Sequence, residues 1–496
     1  MRRALEILPG ALSWGTLIAL VLFSWKLPLA VAIFIVLYDL FWMLRTVYFT
    51  IHLRSSFNLM QKNMGLDWFQ KLRASGKPWE HITHAAVFTI YKEPYEVVRE
   101  SVLSLTKTNF PLKNIILVLA LEERGGDADV VMAKKVLAEF GAHFKHMLIT
   151  IHPASIPDEV AGKASNEAWA VRRMHEDLVR GTDTRVEDVL VSVFDADVTP
   201  TKDYFGILTH TFLNTPNALH AGYQPVVVFS NAYHVPIFAR LLGFSCSFWG
   251  LIQQGHPEML MTFSCYSMPL KALVDVGFWN TNVIAEDARI FYQCLDRYAG
   301  DWRVVPLHYP VTMEAISGDH FLSAAGNLYK QQRRWAWGVE NIPFVVTSFI
   351  KNKKFPWRAK LYWISNIFET FHSWAVSSLV IFLAGILPNV LGGAEFHTSV
   401  ASYNLPKITS FLMNMSVFGL ITSAVFSIFL LSPKIAVKNA RWYHSAYYVA
   451  QWVFAPLAFI IFGAFPALES QTRLMLGGKF RLGYWNTPRA AREPQA

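Results

Sequence analysis

Long apolar runs lie at both ends of the chain, whereas the charged residues concentrate in the middle. Residues 8–25 and 27–47 form two such runs near the start, and each is close to the roughly 20 residues that a membrane-spanning helix needs. A cleavable signal peptide is the alternative for the first run, but no small-residue cleavage site precedes the second. The pattern therefore predicts a transmembrane hairpin over residues 1–54.

The apolar runs in the second half predict a transmembrane region over residues 361–470. Two of these runs, 363–387 and 408–431, are long enough to span. The last, 446–468, is interrupted by two prolines and leaves two topologies open. A single span would place the basic tail, residues 471–496, outside the cell. A re-entrant segment would return the tail to the cytosol, which its charge favours.

The central segment, residues 55–338, alternates short β-rich runs with helical patterns. Strands are expected at 86–90, 115–119 and 189–194, and helices at 95–106 and 130–140. This alternation predicts an α/β domain with a mostly parallel sheet, helices on both faces and a ligand site beyond the carboxyl ends of the strands. Residues 339–360 begin with an apolar segment too short to span, and we expect an amphipathic helix lying in the membrane interface.

Composition supports a multi-pass membrane protein and argues against nucleic-acid binding. The hydrophobic content is 53% and the net charge is +9, but the basic residues flank the apolar runs, as the positive-inside bias and anionic lipid headgroups would select. No basic–aromatic nucleic-acid-binding module is present. The three cysteines have no metal-type spacing, which excludes a disulfide framework and a cysteine zinc site and suits a reducing cytosol.

The strongest local signal for chemistry is the segment Val189-Leu-Val-Ser-Val-Phe-Asp-Ala-Asp197, a buried-type strand that ends in two carboxylates. Asp195 and Asp197 are two positions apart and lie on the same side of an extended chain. They could bind one Mg²⁺ or Mn²⁺, which prefers oxygen ligands and keeps positions open for substrate phosphates. A plain Asp-rich turn is the alternative, since Asp-x-Asp is common.

A second acidic pair, Glu286-Asp287, precedes an amphipathic helix. Asp287 could be the N-cap of that helix, or a general base that takes a proton from an acceptor hydroxyl. Lys163, in Gly162-Lys-Ala-Ser-Asn166, lies where a loop enters a helix and could contact a phosphate or a nucleobase. The Walker spacing is absent, and a solvated lysine is the alternative.

The segment Gln331-Gln-Arg-Arg-Trp335 places three functional side chains on one helical face, because Gln331, Arg334 and Trp335 are three and four positions apart. A guanidinium suits a pyrophosphate, and an aromatic face suits the apolar side of a sugar ring. Anchoring at a bilayer surface is the alternative.

In this order the segments resemble the processive branch of family 2 glycosyltransferases, which includes bacterial cellulose synthase, hyaluronan synthase and chitin synthase. The resemblance covers about residues 85–338. It runs through Thr89-Ile-Tyr-Lys-Glu-Pro94, Gly162-Lys-Ala-Ser-Asn166, Asp195-Ala-Asp197, Glu286-Asp287 and Gln331-Gln-Arg-Arg-Trp335. It implies a GT-A glycosyltransferase domain inserted between transmembrane helices, and an inverting single displacement on a nucleotide-diphosphate sugar, with a UDP-sugar as the expected donor.

The resemblance also implies individual roles. A carboxylate after each of the first two strands would hold the nucleoside: Glu93, and either Glu122 or Glu123, with Lys163 nearby. The donor and its Mg²⁺ or Mn²⁺ would be bound by Asp195 and Asp197, with Asp197 the better candidate for direct ligation. The remaining roles are the base (Asp287), the diphosphate stabiliser (Arg334) and the acceptor-binding pair (Gln331 and Trp335).

The tail carries a further similarity. Tyr484-Trp-Asn-Thr-Pro-Arg489 is similar to the Phe-x-Val-Thr-x-Lys gating loop of cellulose synthases, which covers the active site from the cytosol. Tyr, Asn and Arg stand here where Phe, Val and Lys are usual. Two other departures, Ala285 for the common Thr and a Glu rather than Asp after the second strand, bear on donor preference.

Three functions remain open at this stage. The first is a processive synthase in the inner membrane that extends a glycan from its cytosolic domain and passes it through its own helices, for which Asp39 and Glu369 could supply polar groups. The second transfers a single sugar to a lipid acceptor and uses its helices, in contact with membrane lipid, only as an anchor. The third is a transporter or inactive scaffold that kept the domain for binding.

Overall fold

A computed structural model describes residues 1–318, 320–430 and 442–486. An eight-stranded sheet lies between residues 83 and 313, with the strand order β3-β2-β1-β4-β7-β6-β8-β5. The strands are β1 (Thr83–Ile90), β2 (Ile115–Glu122), β3 (His146–His152), β4 (Val189–Asp195), β5 (Thr199–Pro200), β6 (Ala221–Phe229), β7 (Tyr266–Pro269) and β8 (Arg303–Met313).

The sheet is mixed. Strands β3, β2, β1 and β4 run parallel and β6 pairs in parallel with β8, whereas β7 is antiparallel to both of its neighbours and β5 is antiparallel to β8. The predicted strands at 86–90, 115–119 and 189–194 are confirmed and fall in the parallel half. Parallel strands joined by helical crossovers bring their carboxyl ends to one edge, where the sequence placed the ligand site.

Helices cover both faces of the sheet. The helices of the domain are α3 (Trp68–Ala74), α4 (Tyr95–Thr106), α5 (Asp127–Phe140), α6 (Lys163–Met174), α7 (Tyr204–Asn214), α8 (Ile237–Gln254), α9 (Leu270–Val276), α10 (Glu286–Arg297) and α11 (Phe321–Ala336). Alternate residues of β1 point to opposite faces, so that Ala86 and Phe88 join one core cluster and Ala85 and Val87 join the other. The predicted helices at 95–106 and 130–140 are confirmed as α4 and the later part of α5.

Within the described residues, four helical segments are long and apolar enough to cross a membrane. They are α1 (Arg2–Lys26), α2 (Pro28–Met64), α13 (Trp357–Ala384) and the final segment, Ser445–Leu476. Another long helix, α16 (Val400–Leu430), covers the predicted span 408–431 up to residue 430 and packs along α2. Two short helices lie between α13 and α16, namely α14 (Leu387–Leu391) and α15 (Ala394–His397).

The segment expected at the membrane interface folds differently. Helix α12 (Asn341–Lys351) turns its apolar face inward, where Ile342, Val345 and Phe349 join the core cluster that also contains α10. Protein therefore covers the face that the sequence assigned to lipid. The amphipathic pattern was correct, but the pattern does not reveal which apolar surface will cover such a helix.

The final apolar segment touches the domain at both of its ends. It consists of α17 (Trp442–Ala450), α18 (Ala455–Phe459) and α19 (Phe465–Leu476). A 3₁₀ turn joins the first two helices, and a π-helical turn joins the last two. Near its start, Gln451 accepts a hydrogen bond from Arg240 of α8 (3.0 Å), and near its end Glu469 accepts one from Arg333 of α11 (2.7 Å). Both contacts join the segment to helices of the domain, and the choice between a single span and a re-entrant segment stays a prediction.

Candidate active site

Side chains from six separate parts of the chain meet in one cleft at the carboxyl edge of the parallel strands. The cleft has an empty volume of about 480 Å³, including space open to solvent. Five of the residues that the sequence singled out line it together: Glu93 after β1, Glu122 at the end of β2, Asp195 at the end of β4, Lys163 at the start of α6 and Arg334 on α11. These residues are distant in sequence, so their meeting is a property of the fold.

Lys163 is the centre of the charge network in this cleft. Its ammonium nitrogen lies 2.8 Å from Asp195 Oδ1, 3.5 Å from Glu286 Oε1 and 3.5 Å from Glu167 Oε1. It also donates a hydrogen bond to the backbone carbonyl of Ser264, at 3.3 Å. The alternative of a solvated lysine is therefore wrong, because the side chain is buried among carboxylates.

Burial and proximity shift the pKa values of this network. Burial alone would lower the pKa of Lys163, but Asp195, Glu167 and Glu286 more than offset it, and the pKa lies well above its usual value. Burial raises the pKa of Glu286 to about 7, against the opposing effect of Lys163. Burial likewise raises the pKa of Glu167 well above its usual value. Groups with perturbed pKa values in a cleft are typical of functional sites.

Asp287 lies beside this network with its carboxylate held by two backbone N–H groups. Ser264 donates to Oδ2 (2.9 Å) and Ala288 donates to Oδ1 (2.7 Å). The N-cap position of α10 is Ala285, so Asp287 belongs to the first turn rather than to the cap. Ser264 has a positive φ of 54°, uncommon for a residue with a side chain, and its peptide groups contact both Asp287 and Lys163.

A half-buried glutamate supports the loop that carries this acidic pair. Glu340 accepts hydrogen bonds from the backbone N–H groups of Ile284 (2.7 Å) and Ala285 (3.1 Å), and from the indole of Trp337 (3.0 Å). The segment that follows the Gln331–Trp335 motif therefore fixes the chain just before Glu286. The sequence reasoning missed Glu340. A lone charged residue in an apolar stretch was the available signal.

Arg334 and the tail line one part of the cleft together. Arg334 donates a hydrogen bond to the Tyr484 hydroxyl (3.2 Å), and its guanidinium lies 5.2 Å from the centre of that ring. Tyr484 and Asn486 line the cleft with Arg334. The described part of the gating-loop similarity ends at residue 486, and residues 487–489 lie outside the described chain.

The remaining predicted site residues take other places. Glu123 turns away and accepts the backbone N–H of Ala154 (2.7 Å), so that Glu122 is the member of the pair in the cleft. Gln331 is buried and Trp335 half-buried on α11, and the cleft lining includes neither. Asn166, which the sequence reasoning quoted without a role, lines the cleft and donates to the Ala120 carbonyl (2.8 Å).

The two aspartates proposed to bind the metal have different surroundings. Asp195 faces the cleft and Lys163, whereas Asp197 is buried and accepts the backbone N–H of Glu314 (2.9 Å). Across residues 1–318, 320–430 and 442–486, no group of three or more His, Cys, Asp and Glu side chains is close enough to hold a metal ion. Within these residues, a metal ion in the cleft would therefore be held by at most two carboxylates. That set fits a hard cation such as Mg²⁺ or Mn²⁺, whose other ligands would be diphosphate oxygens and water.

Sequence comparison assigns the family. The profile of glycosyl transferase family group 2 matches residues 190–465, more than half of the chain. The chain belongs to this family. It is a transferase with a GT-A glycosyltransferase fold that acts on nucleotide sugars. The matched region contains Asp195, Asp197, Asp287 and Arg334, whereas Lys163 and the earlier carboxylates precede it.

This glycosyltransferase is less similar to solved structures than to the family profile. A mannosyltransferase from Pyrobaculum calidifontis, in complex with GDP-Man and Mn²⁺, is 14% identical over 75% of this chain and 99% of its own, with a TM-score of 0.40. TarS 1-349 from S. aureus, in complex with UDP-GlcNAc, is 12% identical over 70% of this chain and 91% of its own, with a TM-score of 0.33. Similarities this low say nothing about donor or metal. No curated protein sequence matches the chain.

Proposed function

We propose that this glycosyltransferase extends a polysaccharide at the inner membrane, using a nucleotide-diphosphate sugar, with a UDP-sugar as the first donor to test. The observation that carries the proposal is the cleft in which Lys163, Asp195 and Arg334 meet the two strand-end glutamates. Cationic side chains beside carboxylates suit a ligand that combines a diphosphate with hydroxyl-bearing groups. The family establishes that the protein is a transferase, and the proposal adds that its product is a polymer.

The reaction we propose is a single displacement with inversion. Asp287 takes the proton of the acceptor hydroxyl, and the oxygen attacks the anomeric carbon as the bond to the diphosphate breaks. Two backbone N–H groups hold both oxygens of the Asp287 carboxylate, which orients it before the acceptor arrives. Arg334 would face the departing diphosphate, whose charge increases in the transition state, once Tyr484 releases its guanidinium.

A divalent cation would neutralise charge on the diphosphate when bound, and Asp195 with Asp197 would hold it. Lys163 would then share the donor side of the cleft with the cation. Replacing Asp197 by Ala should abolish the dependence of nucleotide binding on Mg²⁺ or Mn²⁺, measured by calorimetry with and without a chelator. An unchanged dependence would place the metal elsewhere.

The tail is proposed to gate the cleft. Tyr484 packs against Gly162, where an added methyl group would lie only 2.5 Å from the tyrosine ring, and it engages Arg334 on the other side. The tail therefore occupies space beside two of the groups proposed to bind the donor. Entry of a nucleotide sugar would require the tail to move.

We propose the division of the chain that the sequence suggested: a hairpin at 1–54, a cytosolic catalytic domain at 55–338, membrane segments at 361–470 and the tail at 471–496. The helix at 341–351 is assigned to the catalytic domain because its apolar face is buried there. Polar contacts between the membrane helices support passage of a glycan. Tyr38 donates to Ser377 (2.9 Å), and Thr16 pairs with His372 (2.9 Å).

The second candidate is transfer of one sugar to a lipid acceptor, and an apolar groove on the membrane helices favours it. The groove is lined by Trp14, Phe465, Leu476 and Phe480, with Glu469 and Arg473 at one side. Product sizing separates the two functions. Purified enzyme in lipid nanodiscs would be incubated with a panel of labelled nucleotide sugars, and Asp287→Asn would be the inactive control. A ladder of long glycans supports the polymer, and a single lipid-linked product refutes it. Nucleotide release by no donor would refute both functions.

A further inference from the structure

Glu167 is fully buried, and burying a carboxylate costs free energy. It lies on α6, one helical turn after Lys163, and its side chain is 0% exposed. Neither oxygen of the carboxylate accepts a hydrogen bond from the described part of the chain. Its neighbours Ala168, Ala170 and Val171 belong to the apolar core. An apolar side chain would pack there without the penalty of burying a charge, so this carboxylate requires an explanation beyond packing.

The only cation within salt-bridge distance of Glu167 in the described chain is Lys163, at 3.5 Å. Lys163 has three N–H donors and four acceptors around it: Asp195, Glu286, Glu167 and the carbonyl of Ser264. The contact with Asp195 is the shortest of the four, at 2.8 Å. Asp195 is also the residue that the donor and its cation would engage, so donor binding would weaken the closest contact of the ammonium group.

We propose that Glu167 is a positioning residue, which keeps the Lys163 ammonium at the donor side of the cleft when Asp195 turns to the bound donor. This inference rests on the proposed function of the cleft. Glu167 and Glu286 approach Lys163 as two further carboxylates, and Glu167 is fixed to it by the helix, four residues apart. The carbonyl of Ser264 also stays in contact with Lys163, so a phosphate oxygen would take only the position beside the ammonium group that Asp195 leaves. Glu167 acts through Lys163 and does not touch the donor.

A double-mutant cycle on nucleotide binding tests this role. The full-length protein in nanodiscs is titrated calorimetrically with UDP and Mg²⁺, comparing wild type, Glu167→Gln, Lys163→Met and the double variant. We expect Glu167→Gln to weaken UDP binding by roughly tenfold, about 1.4 kcal/mol, and to have no further effect in the Lys163→Met background. Glu167→Asp, which keeps the carboxyl group, should recover part of the affinity. Donor KM should rise more than kcat falls.

The controls separate positioning from general damage. Glu176→Gln changes an exposed carboxylate just beyond α6, paired with Arg173 at 3.5 Å, and should leave UDP binding unchanged. Equal losses from Glu167→Gln in both backgrounds, or binding within twofold of wild type, would overturn the inference. Wild-type protein that binds none of UDP, GDP, CDP, ADP or dTDP would instead overturn the proposed function. Gln has the size of Glu, so a folded variant is expected, and a thermal melt confirms it.

Discussion

Two charged clusters lie on either side of α11, and they differ in how completely their polar atoms are satisfied. In the cluster towards the membrane helices, Glu469 receives hydrogen bonds from Tyr329 (2.9 Å), Arg333 (2.7 Å) and Arg473 (2.6 Å). In the cleft, Arg334 Nε and both oxygens of Glu167 have no hydrogen-bond partner in the described chain. In the first cluster, both oxygens of the Glu469 carboxylate accept hydrogen bonds from neighbouring side chains. The second leaves the Nε–H of Arg334 without a partner in the described chain, whereas the fully buried Glu167 can act on a ligand only through Lys163.

Adjacent residues separate the two clusters. Arg333 and Arg334 are neighbours in sequence, but successive helical positions point about 100° apart, so that one guanidinium reaches α19 and the other reaches the cleft. Ser470 strengthens the outer contact by donating to the Arg333 carbonyl (2.8 Å). One arginine should therefore matter for rate and the other for the attachment of the membrane segment.

The largest effect is expected from Arg334→Ala. Removing a group that stabilises the departing diphosphate should lower kcat by a factor of about 10²–10³, measured as nucleotide release from the donor. Arg333→Ala is the matched control, since it removes the same side chain one position away and should retain most of the rate at low temperature. Equal losses in both variants would mean that α11 contributes to stability alone.

Gly162→Ala should have the next largest effect, because it forces the tail away from the cleft. A methyl group at this position would collide with the Tyr484 ring, which also contacts the Arg334 guanidinium. We expect faster modification or proteolysis of the tail and a change in kcat of roughly tenfold, comparable with the collision-free variant Tyr484→Ala. If only Gly162→Ala changed the rate, the cause would be local strain in the loop before α6 rather than the tail.

Changes in the cluster around Glu469 should alter the stability of the protein rather than its rate. Glu469→Gln removes the charge shared by Arg333 and Arg473 and should lower the melting temperature by a few degrees, with kcat per folded molecule nearly unchanged. The side chains of this cluster are about a quarter to a third exposed, so solvent screening limits the loss. Fluorescence-detected melts in detergent measure the effect. A large loss of rate without a change in melting temperature would link this cluster to catalysis.

Sequence reasoning succeeded where one local rule decides the position of a side chain. Asp195 and the buried strand before it followed from a hydrophobic run and parallel topology, whereas Glu93 was implied by the family resemblance; both residues line the cleft. It could not choose between Glu122 and Glu123, because β2 is buried along its whole length and shows no alternation to mark which residue faces the cleft. Glu167 was missed for a related reason: an i,i+4 pair is informative only once Lys163 is known to be buried.

The smallest effect is expected in the pH dependence of stability, through Glu286. Its pKa is raised to about 7 by burial, above the ordinary 4.5, so the folded protein holds a proton that the unfolded chain releases. This contribution to stability is complete below about pH 4.5, is lost as the pH rises towards 7, and changes no further above that. Glu286→Gln should flatten the slope of the melting temperature between pH 5 and 7. The loss of a partner for Lys163 would shift the whole curve, so the slopes and not the absolute temperatures are compared. An unchanged slope would show that Glu286 stays ionised through this range, with Lys163 as its full counter-charge.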